Sequence, residues 1–160
     1  MRFHFICVLL ITCFVFSEAT EREFRDRSGD CGDDVHWTFI ESTSTLFVSG
    51  TGEMNNFSYP SEAPWSAFRD TILAIVIEGG VKTIGENAFY RCSELASVSV
   101  PGTVNTIATK AFYGCKNLTS FCMEDGVVSI EEAVFEGCSS LKNIAIPSTV
   151  TSIGRYAFRE

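Results

Sequence analysis

One spacing constrains this chain more than any other feature: from Ile84 onward, apolar residues recur every 23 positions in parallel columns. Ile84, Ile107, Ile130 and Ile153 form one column, and Phe89, Phe112, Phe135 and Phe158 another. The residue before each phenylalanine is Ala88, Ala111, Val134 or Ala157. Cys92, Cys115 and Cys138 keep the same step, as do Leu95, Leu118 and Leu141. The pattern continues through Val98, Phe121 and Ile144, then Val100, Met123 and Ile146, then Val104, Val127 and Val150. One period upstream, Ile72, Ile75, Ile77 and Val81 stay in register, whereas the Phe and Cys columns meet Ser66 and Arg69. The array therefore begins near Ile72 with a degenerate unit. Self-similarity at such a period belongs to solenoids, in which each unit stacks on the next. Burying five or six apolar side chains contributes about 1.5–3 kcal/mol each, while ordering the backbone costs about 1–2 kcal/mol per residue. A lone unit cannot offset that cost, so the units fold only as a stack.

Within a unit, Leu95-x-x-Val98-x-Val100, Leu118-x-x-Phe121-x-Met123 and Leu141-x-x-Ile144-x-Ile146 end in a period-two stretch. Alternate residues of a short strand there point into the solenoid. Pro101 and Pro147 end two of these strands, because proline lacks the ladder donor. Val104 to Ile107 crosses back, and Ile107 to Phe112 fits a turn of helix on the convex side. The expected fold is an α/β-type right-handed solenoid, with short parallel strands on the concave face and short helical turns opposite. Cys92, Cys115 and Cys138 stack in one column as small buried hydrophobes; without histidine partners they fit no zinc pattern.

The start of the chain is of a different character. Arg2, the apolar run Phe5 to Phe16 and the small residues of Ser17-Glu18-Ala19 form the pattern of a secretory signal peptide over 1–19. That run is too short to span a bilayer core, which needs about 20 residues. Residues 20–30 are charged and poor in hydrophobes, and read as a flexible leader. Residues 31–71 read as an N-terminal cap: Val35 to Ile40 and Leu46 to Val48 are strand-like and separated by turn-prone residues. A β-hairpin there would cover the first unit's open edge. Residues 72–160 are the array, with its last unit incomplete.

The L-x-x-L-x-L core at this period is the leucine-rich-repeat signature. The unit resembles the BspA-like leucine-rich repeat, on Ile84-Gly85-Glu86-Asn87-Ala88-Phe89 and again on Ile153-Gly154-Arg155-Tyr156-Ala157-Phe158. Upstream, Cys31 to Trp37, Thr45 to Gly52 and Ala63-Pro64-Trp65 are similar to the block that often precedes such repeats. The resemblance implies surface or secreted proteins of bacteria and parasitic protists that adhere to host matrix or other cells, and it carries no catalytic residues. Arrays in that family are often longer, and some members end in a membrane anchor.

Little else suggests chemistry. Beyond the signal segment there is one histidine, His36, and there is no H-E-x-x-H, P-loop, C-x-x-C or G-x-G-x-x-G. Asp30, Asp33 and Asp34 lack calcium-loop spacing. No metal and no cofactor is expected. A formal net charge of −8 argues against nucleic acid as partner, and no later stretch is apolar enough for membrane insertion. Cys122 lies between inward Phe121 and Met123 and should face outward, free or paired with Cys31 or another chain. Asn56-Phe57-Ser58 and Asn117-Leu118-Thr119 are glycosylation sequons. The concave face is expected to carry Ala96, Ser97, Ser99, Thr119, Ser120, Cys122, Lys142, Asn143 and Ala145, small and mostly neutral residues suited to a protein or glycan on a host or neighbouring cell surface. The leading reading is an extracellular adhesion module. Alternatives are a structural part of a larger surface antigen, self-associating through its C-terminal end, and a secreted enzyme using His36 or Cys122.

Overall fold

Period-two burial decides which segments become strands. In a computed structural model, which describes residues 26–58 and 62–160, β1 (Arg27–Gly32), β2 (Val35–Ile40) and β3 (Thr45–Gly50) are antiparallel neighbours. Val35, Trp37 and Phe39 of β2 are buried while His36 between them is exposed. β3 then pairs in parallel with β4 (Ala74–Ile77), setting Leu46 beside Ile75 and Val48 beside Ile77. Next come β5 (Thr83–Ile84), β6 (Ser97–Val100), β7 (Thr106–Ile107) and β8 (Ser120–Met123). β4 pairs with β6 and β6 with β8, so one six-stranded sheet runs β1-β2-β3-β4-β6-β8. The expected hairpin is present, and it is the first part of the array's own sheet.

Residues 27–30 correct the leader reading. Arg27 to Asp30 pair with Phe39 to His36, and a bulge at Cys31 precedes the Gly32–Val35 pair. Arg27, Ser28 and Asp30 are polar and, like Gly29, exposed, so nothing in their hydropathy signals a strand. The main-chain edge of β2 recruits them, because unpaired N–H and C=O groups need partners, and buried Cys31 pins the segment. The signal segment and residues 20–25 lie outside the described residues.

The crossing-back segments form a second parallel sheet. β9 (Ser129–Ile130) and β10 (Ser152–Ile153) join β5 and β7 in the order β10-β9-β7-β5, with Ile84, Ile107, Ile130 and Ile153 in register.

The third wall is not helical. The only helices among the described residues are 3-10 turns at Glu41–Thr43 and Ser66–Thr71, both ahead of β4. In each unit the backbone adopts the left-handed region at Asn87, Lys110, Ala133 and Tyr156, and again at Arg91, Gly114 and Gly137, with φ between 54° and 74°. A left-handed residue cannot continue a right-handed helix. Every second N–H turns instead along the stack: Phe89 donates to Ala111 O at 2.8 Å, Phe112 to Val134 O at 3.1 Å and Phe135 to Ala157 O at 2.8 Å. The intervening amides close turns within the unit, as Ala88 N–H does on Gly85 O and Cys92 N–H on Phe89 O. The α component and the helical turns expected from sequence are thus replaced by a third hydrogen-bonded ladder.

Inside these walls the aromatic column is continuous. Trp65, Phe89, Phe112, Phe135 and Phe158 stack with centroids 5.2, 5.2, 5.8 and 5.2 Å apart, at interplanar angles of 24° or less. Trp65 takes the place the column loses at Ser66, held by its indole N–H donating to Ala88 O at 2.7 Å. Trp37 and Phe57 of the cap meet Trp65 edge-on at 6.0 and 5.7 Å. The thiols of Cys115 and Cys138 donate to Phe89 O and Phe112 O, each at 3.2 Å. The column cysteines therefore link the core to the turn ladder.

The last expected strand does not form. Residues 141–147 carry no strand or bridge. Ile144 is only half-buried and Ile146 is 39% exposed, so too little apolar burial holds this segment against β8.

Two outcomes follow. Phe112→Ala should lower unfolding free energy by about 3–5 kcal/mol, the usual cost of emptying a buried ring's site, as read by chemical denaturation; the 40% exposed Phe158 should cost less when truncated the same way. Burial pushes the Cys31 and Cys92 thiols up to about 12 and raises Cys115 as well. Because their folded values lie above the ordinary 9.0, the stability they contribute is complete below pH 9 and declines from there towards pH 12. Iodoacetamide at pH 8 should modify exposed Cys122 and spare Cys31, Cys92, Cys115 and Cys138 until denaturant is added, which mass spectrometry reads directly.

Candidate functional site

Pairing in one register arranges the outward side chains of the large sheet in rows. One row runs Thr38, Phe47, Val76, Ser99, Cys122, and the next Ile40, Thr45, Ala74, Ser97, Ser120. At their rim the same step sets exposed Leu73 beside Ala96 and Thr119, whose amides continue the ladder, Ala96 N–H to Leu73 O and Thr119 N–H to Ala96 O. The Thr119 hydroxyl also donates to Ala96 O, at 3.2 Å. None of these side chains is charged, so the rows present shape and hydrogen-bonding groups rather than a strong field.

Six of the nine residues expected on this face stand on it: Ala96, Ser97 and Ser99, with Thr119, Ser120 and Cys122. Lys142, Asn143 and Ala145 are exposed but belong to the strandless segment beyond β8, and the Lys142 ammonium donates to Ser139 O at 2.9 Å. They do not extend the face. Sequence reasoning missed its other half, because the cap was read as a separate element. The parallel β3–β4 pairing adds Thr38, Ile40, Thr45 and Phe47, and the degenerate first unit adds Ala74 and Val76. The signal was available in part, since Leu46 and Val48 alternate as Ile75 and Ile77 do.

The other singled-out residues stay apart. His36 Nδ1 lies 2.6 Å from Asp30 Oδ1, directly across the β1–β2 ladder and open to solvent. Cys122 is exposed on β8, four strands from β2, a distance of about 19 Å at roughly 4.8 Å per strand. The two cannot share one reacting atom. Cys31 is buried on β1 at the opposite edge of the sheet, about 24 Å from Cys122 by the same spacing, so the suggested Cys31–Cys122 pair does not form within a chain; both are free thiols. Asn117 is exposed with its amide donating to Glu94 at 3.3 Å, and Asn56 is exposed with its Oδ1 accepting from Glu86 N–H at 2.8 Å. Among the described residues no group of three His, Cys, Asp or Glu is placed to hold a metal ion, and no helix is long and apolar enough to cross a membrane.

Comparison with known proteins accords with this geometry. The family model for the BspA type leucine rich repeat region matches residues 64–160 in six copies, starting one residue before Trp65, whose ring heads the aromatic column. A leucine-rich repeat protein from Eubacterium ventriosum is similar in structure, with a TM-score of 0.77 and 27% identity over 84% of this chain and 36% of its own. One from Bacteroides ovatus gives 0.54 and 28% identity over 80% of this chain and 32% of its own. The chain thus spans about a third of the length of these structures. A search of curated proteins finds no match. With its period, its three-walled stack and this match over more than half its length, the chain belongs to the BspA-type leucine-rich-repeat family.

Proposed function

We propose that this chain is a non-catalytic extracellular binding module whose large-sheet outer face contacts a protein or glycan on a host or neighbouring cell. One observation carries the reading: two rows of neutral side chains run in register across the strands from β2 to β8, joined by main-chain ladders that hold them rigid. A preformed face of this kind loses little ordering entropy on binding. Solenoids use their extended sheet faces in this way. Secretion or surface display is supported by the Arg2, Phe5 to Phe16 and Ala19 pattern at the start of the chain. In a eukaryotic secretory pathway both sequons are candidates for glycosylation, since Asn56 and Asn117 are both exposed.

A second reading has its own observation. Ile146, Ile153 and Phe158 are 39%, 50% and 40% exposed at one end of the stack. The chain would then be a structural part of a larger surface antigen, its end covered by further units or by a second copy.

Introducing arginine at Ser99 and Ser120 places two bulky charges in the middle of the face. Saturable binding to immobilised matrix proteins or cultured epithelial cells should fall at least tenfold with unchanged circular dichroism. Undiminished binding removes the face from the account. For the exposed end, light scattering of the 160-residue chain should show concentration-dependent association that Ile153→Lys with Phe158→Lys abolishes; a monodisperse wild-type monomer contradicts it.

A further inference from the structure

Away from the sheet face, the turn wall carries an open groove of about 670 Å³ whose chemistry is the opposite of the molecule's average. On a chain of net charge −8, it brings together Arg69, Arg91 and Lys116 against a single carboxylate, Asp70. Asp70 is already engaged, accepting from the Ser93 hydroxyl at 3.0 Å. Arg69 is spent on structure, donating to Ser66 O and Tyr90 O. Arg91 and Lys116 come from successive units, and both are exposed.

The 23-residue step also builds an aromatic wall here. Tyr90 and Tyr113 stack with centroids 4.9 Å apart and planes within 2°, and the Arg91 guanidinium lies 5.3 Å from the centre of the Tyr90 ring. One unit on, the Tyr column gives way to Glu136, which is buried and paired with Arg159, so its charge is withdrawn from the groove. Gly114 and Gly137 occupy the left-handed position that Arg91 holds in the first unit, and without side chains they leave the groove floor open.

From this juxtaposition we infer a second binding site, for an anionic polysaccharide bearing sulfate or carboxylate groups. Exposed cations supply the charge, and stacked tyrosines supply flat apolar edges for sugar rings. The turn backbone argues against an extended acidic peptide. Arg91 N–H donates to Tyr113 O, Phe112 N–H to Val134 O and Gly114 N–H to Glu136 O. Those donors are consumed by the ladder, so the groove offers no free strand edge there for a peptide to join. Recognition must come from side chains, as it does for saccharides in shallow grooves. The site is distinct from the neutral sheet face and does not depend on that face being a ligand surface.

The test is binding of heparin and of hyaluronan by the full chain, with neutral dextran and poly-L-glutamate as controls. Saturable binding to at least one of the two anionic polysaccharides is expected, weakening as salt rises. Arg91→Gln with Lys116→Gln should reduce it at least tenfold with unaltered thermal unfolding. The proposal is overturned if neither polysaccharide binds, if the Arg91/Lys116 variant binds like wild type, if dextran binds equally well, or if poly-L-glutamate competes as strongly as the polysaccharide.

Discussion

Everything in this molecule depends on hydrogen bonds between units 23 residues apart. A single unit has too few internal partners for its own main chain. The amides of Phe89, Phe112 and Phe135 reach the carbonyls of Ala111, Val134 and Ala157, and two parallel sheets make equivalent bonds on the other walls. Each bond contributes only about 0.5–1.5 kcal/mol net, but leaving such groups buried and unpaired is costly. The stack is therefore cooperative: a unit is satisfied only through its neighbours.

The aromatic column follows from that constraint. Ladders on three walls fix the unit spacing, and flat rings at one position per unit fill it. Centroid spacings of 5.2 to 5.8 Å sit within the usual range for stacked rings. The cap belongs to the same system. Trp37 and Phe57 pack on Trp65, and β3 hands its register to β4. Continuity of the sheet gives the outer face its extent, and the same periodicity stacks Tyr90 on Tyr113 on another wall.

Sequence alone revealed the features that recur as residue types. The Ile, Phe, Cys and Leu columns, the strand alternation and six of the expected face residues are all read from identity and spacing. Features set by backbone conformation or edge demand left no such mark. The left-handed position is held by Asn87, Lys110, Ala133 and Tyr156, four residues with no shared chemistry, so a helical turn is the natural but mistaken reading. Two-residue strands such as Thr83–Ile84 are too short for a periodic signal. The polar stretch Arg27 to Asp30 is a strand only because β2 has an edge to satisfy. Trp65 stands one position ahead of the column it completes, which a strict 23-residue count cannot detect.

Amide hydrogen exchange across the turn wall tests the central claim most directly. The interunit ladder predicts that the amides of Phe89, Arg91, Phe112 and Gly114 are protected to the same degree as those of Ser97 and Ser120, which donate to Leu73 O and Ala96 O in the large sheet. Exchange of those four amides at the rate of exposed loops would contradict it, and with it the view that bonds between units hold this fold together.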